Sequence, residues 1–218
     1  MSEFEAAEDG LISTPDNIEV IRDQIAGLLA VELENQARLA EEAGDPNAAD
    51  YKVAVFVEND DPLQYVDDQT PGANPFPCAN VSVDSTGQER GTASVGKQVM
   101  TAQFFVDVYA TGNAGNADGG EDFGTRATLK AWKTARLVRR ILRSEANTYL
   151  RLRGIVGRVT FKFQAGEPNR PQAAIRVKMV RITLGVDYFE DVPETGGPGI
   201  ELVSGAIIAD DGRVVIDM

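Results

Sequence analysis

The sequence predicts an α+β domain, an antiparallel or mixed β-sheet flanked by helices, with extended loops and a C-terminal β-hairpin arm. Three observations carry this. Two long stretches, 15–43 and 126–152, repeat apolar residues at helical spacing. Several shorter stretches are rich in β-branched and aromatic residues or alternate at period two. Their order is helix, three strands, helix, two strands, which gathers the strands in runs instead of alternating each with a helix.

Ser13, Thr14, Pro15 and Asp16 form a helix-start signal, a capping hydroxyl before a proline with an acid in the first turn. Ile18, Ile21, Ile25, Leu28, Leu29, Leu33, Ala37 and Ala40 then recur on one face until Gly44, Asp45 and Pro46 end the helix. YKVAVFVE, 51–58, reads as a strand buried early in the sheet. The stretch after it, 59–77, has four prolines and four aspartates and reads as a long surface loop. CANVSVDS, 78–85, and KQVMTAQFFVDVYATG, 97–112, are the next strands. In the second, Met100, Ala102, Phe104, Val106 and Val108 make the apolar face. The glycine-rich loop 112–124 lacks the G-x-x-x-x-G-K-[ST] pattern of a phosphate cradle and carries acids instead.

In the second helix, Ala131, Ala135, Val138, Leu142, Ala146 and Tyr149 fall on one side. Lys133, Arg136, Arg139, Arg140, Arg143 and Arg151 fall on the other, with Leu129 and Trp132 among them. After Gly154 and Gly157 the period changes to two. RVTFKFQA, 158–165, and AAIRVKMVRITLGVDYF, 173–189, form an antiparallel hairpin. The domain thus spans 1–190. Residues 191–218 are a linker and a terminal hairpin in which Asp211-Gly212 joins two apolar runs. That hairpin is short of core-forming residues, so it pairs either with the main sheet's edge or with another chain.

Composition narrows the function. Of 218 residues, none is histidine and one, Cys78, is cysteine. This removes the usual general base and metal ligand, and excludes an internal disulfide and a cysteine zinc cage. No apolar run approaches the roughly 20 residues of a membrane helix. MSEFEAAEDG is acidic where a secretion signal is basic and then apolar, which predicts a protein made and kept in the cytosol. Formal net charge is −13, yet residues 126–154 hold nine bases and one acid while residues 1–50 hold two bases and thirteen acids. The positive charge is segregated onto one helix.

Three uses of that basic stripe stay open: contact with an acidic neighbour or partner, a solvated or internally paired helix face, and contact with DNA phosphates. An exposed tryptophan among arginines has the composition of an interface hot spot. Against phosphate contact stands the sequence pI of about 4.5. Asp60, Asp61, Asp67 and Asp68 bring oxygen ligands together, but outside the spacing of a calcium loop. No pair of acids stands out for glycoside hydrolysis, there is no G-x-S-x-G, and Ser204-Gly205 lies in the terminal arm with no histidine to serve it. No enzymatic function and no cofactor are expected.

The strand QFFVDVYATG, the glycine-rich loop, the helix TLKAWKTARLVRRILRS and the hairpin ending in VKMVRITLGVDYF together resemble the tail terminator (tail completion or neck) proteins of long-tailed bacteriophages and related contractile particles, over residues 16–190. The resemblance implies a virion protein, assembled in the host cytoplasm into a ring that is typically hexameric. Such a ring caps the tail tube, stops its growth and offers a face to the head connector, with DNA only as passing cargo. Its partners would be its own copies, the tail tube protein, the connector or neck protein, and in contractile tails the sheath. A neck or head-completion adaptor, or a nucleic-acid-contacting ring protein, would share the same features.

A closing ring requires one surface patch to dock on a different patch of the next copy. On this reading Trp132, Lys133, Arg136, Arg139, Arg140 and Arg143 are one patch. Glu19, Asp23, Glu34 and Glu41 of the first helix are candidates for its acidic counterpart. Ile200, Leu202, Ile207, Val214, Val215 and Ile216 would belong to a strand-exchange arm.

Overall fold

The computed structural model describes residues 16–59, 77–88, 97–111, 123–166 and 177–191, with three short backbone strands beyond them at 200–203, 206–209 and 214–217. The fold is α+β, a five-stranded mixed sheet flanked by helices. Helix α1 is Asn17–Glu42, followed by a 3-10 turn at Ala48–Tyr51. Strands β1 (Ala54–Val57), β2 (Cys78–Gln88) and β3 (Lys97–Thr111) come next. Helix α2 (Phe123–Leu142), a compact turn at Glu145–Arg151, and strands β4 (Val156–Gly166) and β5 (Val177–Asp191) complete the domain. The sheet order is β1-β2-β3-β5-β4, with β1 parallel to β2 and every other pair antiparallel.

β3 and β5 are the longest strands and lie at the centre, paired from Lys97↔Asp191 to Thr111↔Val177. Phe104, Val106 and Val108 of β3 and Ile182, Leu184 and Val186 of β5 share the face under the helices and are fully buried. Ile21, Ile25, Leu28, Leu29 and Leu33 of α1 close over this layer. Each such side chain contributes roughly 1.5–3 kcal/mol of burial. The period-two alternation expected for the β4–β5 hairpin is the one observed; in β3 it holds through Val106, beyond which Asp107 and Tyr109 on the opposite face are buried as well.

Three boundaries differ from the expectation, whereas α1 ends at Gly44 and Asp45 as expected. The cap of α1 is Asp16, whose carboxylate accepts from the Ile18 amide while Glu19 reaches back to the Asp16 amide, a reciprocal capping box; Ser13, Thr14 and Pro15 lie outside the described residues. The helix ends where Gly44 takes a φ of +68° and the Asp45 amide donates to the Ala40 carbonyl. The strand expected at 51–58 is only Ala54–Val57, and it is a half-buried sheet edge instead of an interior strand. Its first residues, through Tyr51, wind into the 3-10 turn.

The largest correction concerns the basic helix, which stops at Leu142 instead of running to 152. Buried Asn147 folds back and donates from Nδ2 to the Ile141 carbonyl at 2.9 Å, beside the bond that this carbonyl accepts from the Ser144 amide at 3.1 Å. Tyr149, Leu150 and Arg151 then all adopt positive φ, between 53° and 59°. This left-handed run turns the chain into β4. It also places Ala146 and Tyr149 at the surface, not on an apolar helix face, and puts Arg143 and Arg151 beyond α2.

The expected terminal hairpin has a third strand. β6 (Ile200–Val203), β7 (Ala206–Ala209) and β8 (Val214–Asp217) pair antiparallel with one another in a separate sheet.

A candidate interaction surface on the outer flank of α2

Two helices of about 10 Å diameter cover about 20 Å of sheet, whereas five strands at about 4.8 Å spacing present about 24 Å. Here α1 packs on β1 and β2, and α2 on β3 and β5, which leaves the helix-side face of the edge strand β4 only partly roofed. Val159, Phe161 and Phe163 on that face stay half-buried. What lies over them is cationic: the Arg139 guanidinium is 5.1 Å from the Phe163 ring centre and that of Arg143 is 6.0 Å from Phe161.

The resulting groove, about 640 Å³, runs between α2 and β4 and is lined by Leu129, Trp132, Lys133, Arg136, Arg139 and Phe163. Leu129 is 57% exposed and Trp132 42% exposed. The inner flank of the same helix, Ala127, Ala131, Ala135 and Val138, is fully buried, so the division of α2 into a small apolar face and a basic outer face is as expected. A smaller groove of about 320 Å³ lies on the other side of a ridge made by Lys133 and Arg136. It is lined also by Leu39, Tyr51, Leu137 and Arg140.

The cations of this region are not equivalent. Lys130 and Lys133 both approach Asp50, at 2.8 and 3.9 Å, and Lys133 lies 4.4 Å above the Tyr51 ring, so the 3-10 turn occupies them internally. Arg151 donates to Asn147 at 2.8 Å and lies 3.8 Å from Glu32. Arg136 and Arg140 are exposed and have no carboxylate within ion-pairing distance among the described residues.

The proposed acidic counterparts lie along α1, and most have local roles. Glu19 belongs to the capping box, Asp23 accepts from Arg22 at 2.8 Å, and Glu41 pairs with Lys52 at 2.7 Å. Glu34 is exposed beside Ala30, Ala37 and Lys52 in a third groove, between α1 and the β1 edge.

The face of the sheet away from the helices carries a second buried cluster, Cys78, Tyr109 and Val177, and beside it a pair that sequence reading missed. Asp107, expected only as a polar-face residue, is 4% exposed and accepts two hydrogen bonds from Arg181, at 2.7 Å from Nε and 2.6 Å from Nη2. The guanidinium also lies 3.9 Å from the Phe105 ring centre. Six residues farther along β5, Asp187 accepts from Arg158 at 2.7 Å and from the Thr101 hydroxyl at 3.1 Å. The available signal was that Asp107 and Arg181 fall on period-two positions of the two longest strands, but their pairing depends on register.

Burial pushes the Cys78 thiol up to about 12, so it is a neutral packing group. No cluster of three or more histidine, cysteine or carboxylate side chains occurs among the described residues. Among them, too, no helix is long and apolar enough to cross a membrane. Asp60, Asp61, Asp67, Asp68, Ser204 and Gly205 lie outside the described residues, as do the side chains of Ile200, Leu202, Ile207, Val214, Val215 and Ile216. No protein-family model matches this chain, and no curated protein matches it in sequence.

Proposed function

We propose that this chain is a structural ring protein of a phage-type tail, a terminator that caps the tail tube and presents a face to the head connector. The observation that supports the docking part of this reading is the outer flank of α2. In a protein of net charge −13 it combines Arg136 and Arg140, which have no ion-pair partner among the described residues, with exposed Trp132 and Leu129 beside an apolar groove. Apolar anchors supply affinity, and the surrounding charge selects an acidic partner and fixes its register. The ring and the tail come from the resemblance of residues 16–190.

In this reading the flank meets an acidic surface of the next copy or of a partner ring, with Glu34 of α1 the most available of the four carboxylates. The three-stranded terminal sheet serves as an attachment arm toward the sheath or a neighbour. Light scattering tests the ring directly. The expected result is a sixfold multiple of 23.5 kDa, formed by the free protein or when the tail tube is added. It should fall with rising salt and with the double reversal Arg139→Glu, Arg140→Glu. A protein that stays monomeric at all salts, even with tube added, would overturn the ring. Tails of uncontrolled length in the absence of the protein mark a terminator, whereas finished tails that fail to join heads mark a neck protein.

A further inference from the structure

The half-roofed strip of β4 has one end beside the start of α1. The Asn17 side chain donates to the Phe189 carbonyl at 3.1 Å, and Phe189 in turn donates its amide to Ile155, just before β4. From there the strip runs past Val159 and Phe161 to Phe163, which pairs across from Ile182, and so into the Trp132 groove. Seven strand residues separate Ile182 from Phe189, about 23 Å. A chain entering α1 at Asp16 therefore arrives at one end of the strip.

We propose that the segment leading into α1, residues 1–15 of the same chain, covers this strip and sets Phe4 in the groove. Three observations commit the site to this occupant. The first is reach: twelve residues from Phe4 to Asp16 span up to about 40 Å, more than the strip requires. The second is charge: residues 1–15 contain Glu3, Glu5, Glu8 and Asp9 and no basic side chain, opposite Arg136, Arg139 and Arg140. The third is chemistry: Glu3-Phe4-Glu5 places one aromatic ring between two carboxylates, matching an apolar floor with a cationic rim.

Two other acidic stretches fit less well. Residues 60–76 are tethered between β1 and β2, at the opposite edge of the sheet from β4. Residues 200–217 contain Arg213, and their strands already pair with one another. The consequence is an intramolecular cover over the surface proposed for docking, one that an incoming acidic partner must displace.

Trp132 is the chain's only tryptophan, so its fluorescence reports on the groove alone. The full chain is compared with a form lacking residues 1–12 and with Phe4→Ala, at concentrations where light scattering gives the monomer mass. Deletion is expected to raise quenching by acrylamide, a neutral probe, about twofold and to shift emission to the red. Phe4→Ala should give part of that change, and 0.5 M NaCl should do the same to the full chain. A synthetic peptide of residues 1–12 should restore shielding to the deleted form, and the same peptide with Glu3→Lys and Glu5→Lys should not.

Equal quenching of all forms would overturn the proposal, and shielding that vanishes on dilution would overturn it in favour of a neighbouring copy. Because the readout is made on monomers, it stands or falls separately from the ring. Should the deleted form lose its fold, Phe4→Ala and the salt dependence carry the test.

Discussion

Arginine is used in opposite ways at two places in this molecule. On the sheet face away from the helices, Arg181 is held by both oxygens of Asp107 and stacked on Phe105, a bidentate pair with its charge cancelled at 2.6–2.7 Å. On α2, Arg136 and Arg140 are exposed without a carboxylate among the described residues, and Arg139 only lies over a phenyl ring. The first site stabilises the fold and has nothing left to offer a partner. Removing the second severs no ion pair among the described residues, so its charge is not spent on the described fold. Within one chain, then, the pairing of arginine and not its number separates a fold-stabilising site from the surface proposed for docking.

The largest effect should come from breaking the internal site. Arg181→Ala leaves Asp107 nearly buried and unpaired, which costs about 3 kcal/mol, at the low end for a buried pair because the Arg181 side chain keeps 35% exposure. Urea denaturation should show this as a lower midpoint at unchanged slope. Replacing both partners, Asp107→Leu with Arg181→Met, should recover much of the loss, because no charge is then stranded. A double variant no more stable than Arg181→Ala would show that the loss lies in lost packing on Phe105.

The same contrast explains how far the sequence could be read. Long, strongly periodic segments were legible: the apolar faces of α1, β3 and the β4–β5 hairpin, and the two-sided character of α2 with its exposed Trp132. These depend on local spacing alone. The end of α2 was not legible, because it is set by Asn147 capping the Ile141 carbonyl and by three successive left-handed residues, none of them glycine. The Asp107–Arg181 pair and the partial roof over Phe161 and Phe163 depend on strand order and register across the sheet. Lys133 looked as available as Arg136 until the 3-10 turn brought Asp50 and Tyr51 beside it. Charge patterning marked the basic flank of α2, and tertiary contacts decided which of its charges are paired among the described residues.

The next effect is a loss of stability in alkali. Cys78 ionises at about 12 when folded, against an ordinary value of 9.0, with burial as the cause. Below about pH 9 both states keep the proton and stability is unaffected. Above it the unfolded chain loses the proton first, so stability falls by up to about 1.4 kcal/mol per pH unit until the folded thiol also titrates. Tyr188, raised to about 12 mainly by burial, acts in the same direction. Thermal midpoints from pH 8 to 11 should fall less steeply for Cys78→Ala than for the unaltered chain; equal slopes would mean that the thiol is solvated.

A smaller and opposite effect is expected at the turn into β4. Tyr149 is held at a φ of 55° and is 41% exposed, so its side chain contributes little burial to set against the cost of a left-handed backbone. Relief of about 1–2 kcal/mol of strain exceeds the added chain entropy of glycine, about 0.5–1 kcal/mol. Tyr149→Gly should therefore raise stability by roughly 0.5–1 kcal/mol. Leu150→Gly, at a similar φ but buried, should lower it. Calorimetry on the two variants separates backbone strain from burial within adjacent residues.

The smallest effect on stability belongs to the surface given the most functional weight. Arg139→Glu with Arg140→Glu removes a cation from Phe163, worth about 0.5–1 kcal/mol at an exposed site, and severs no ion pair among the described residues. It also places two carboxylates in the last turn of α2, where the helix dipole disfavours them by a few tenths of a kcal/mol each. The total should stay near 1 kcal/mol, with the helical circular dichroism unchanged. Against that small loss, reversal of four charge units at an interface rim should abolish any association that salt weakens, because like charges then face the acidic partner. A reversed protein that unfolds would mean that these arginines hold α2 on β4. One that folds and still associates would place the docking surface elsewhere, leaving the exposed Glu34 flank and the β1 edge as the next surface to reverse.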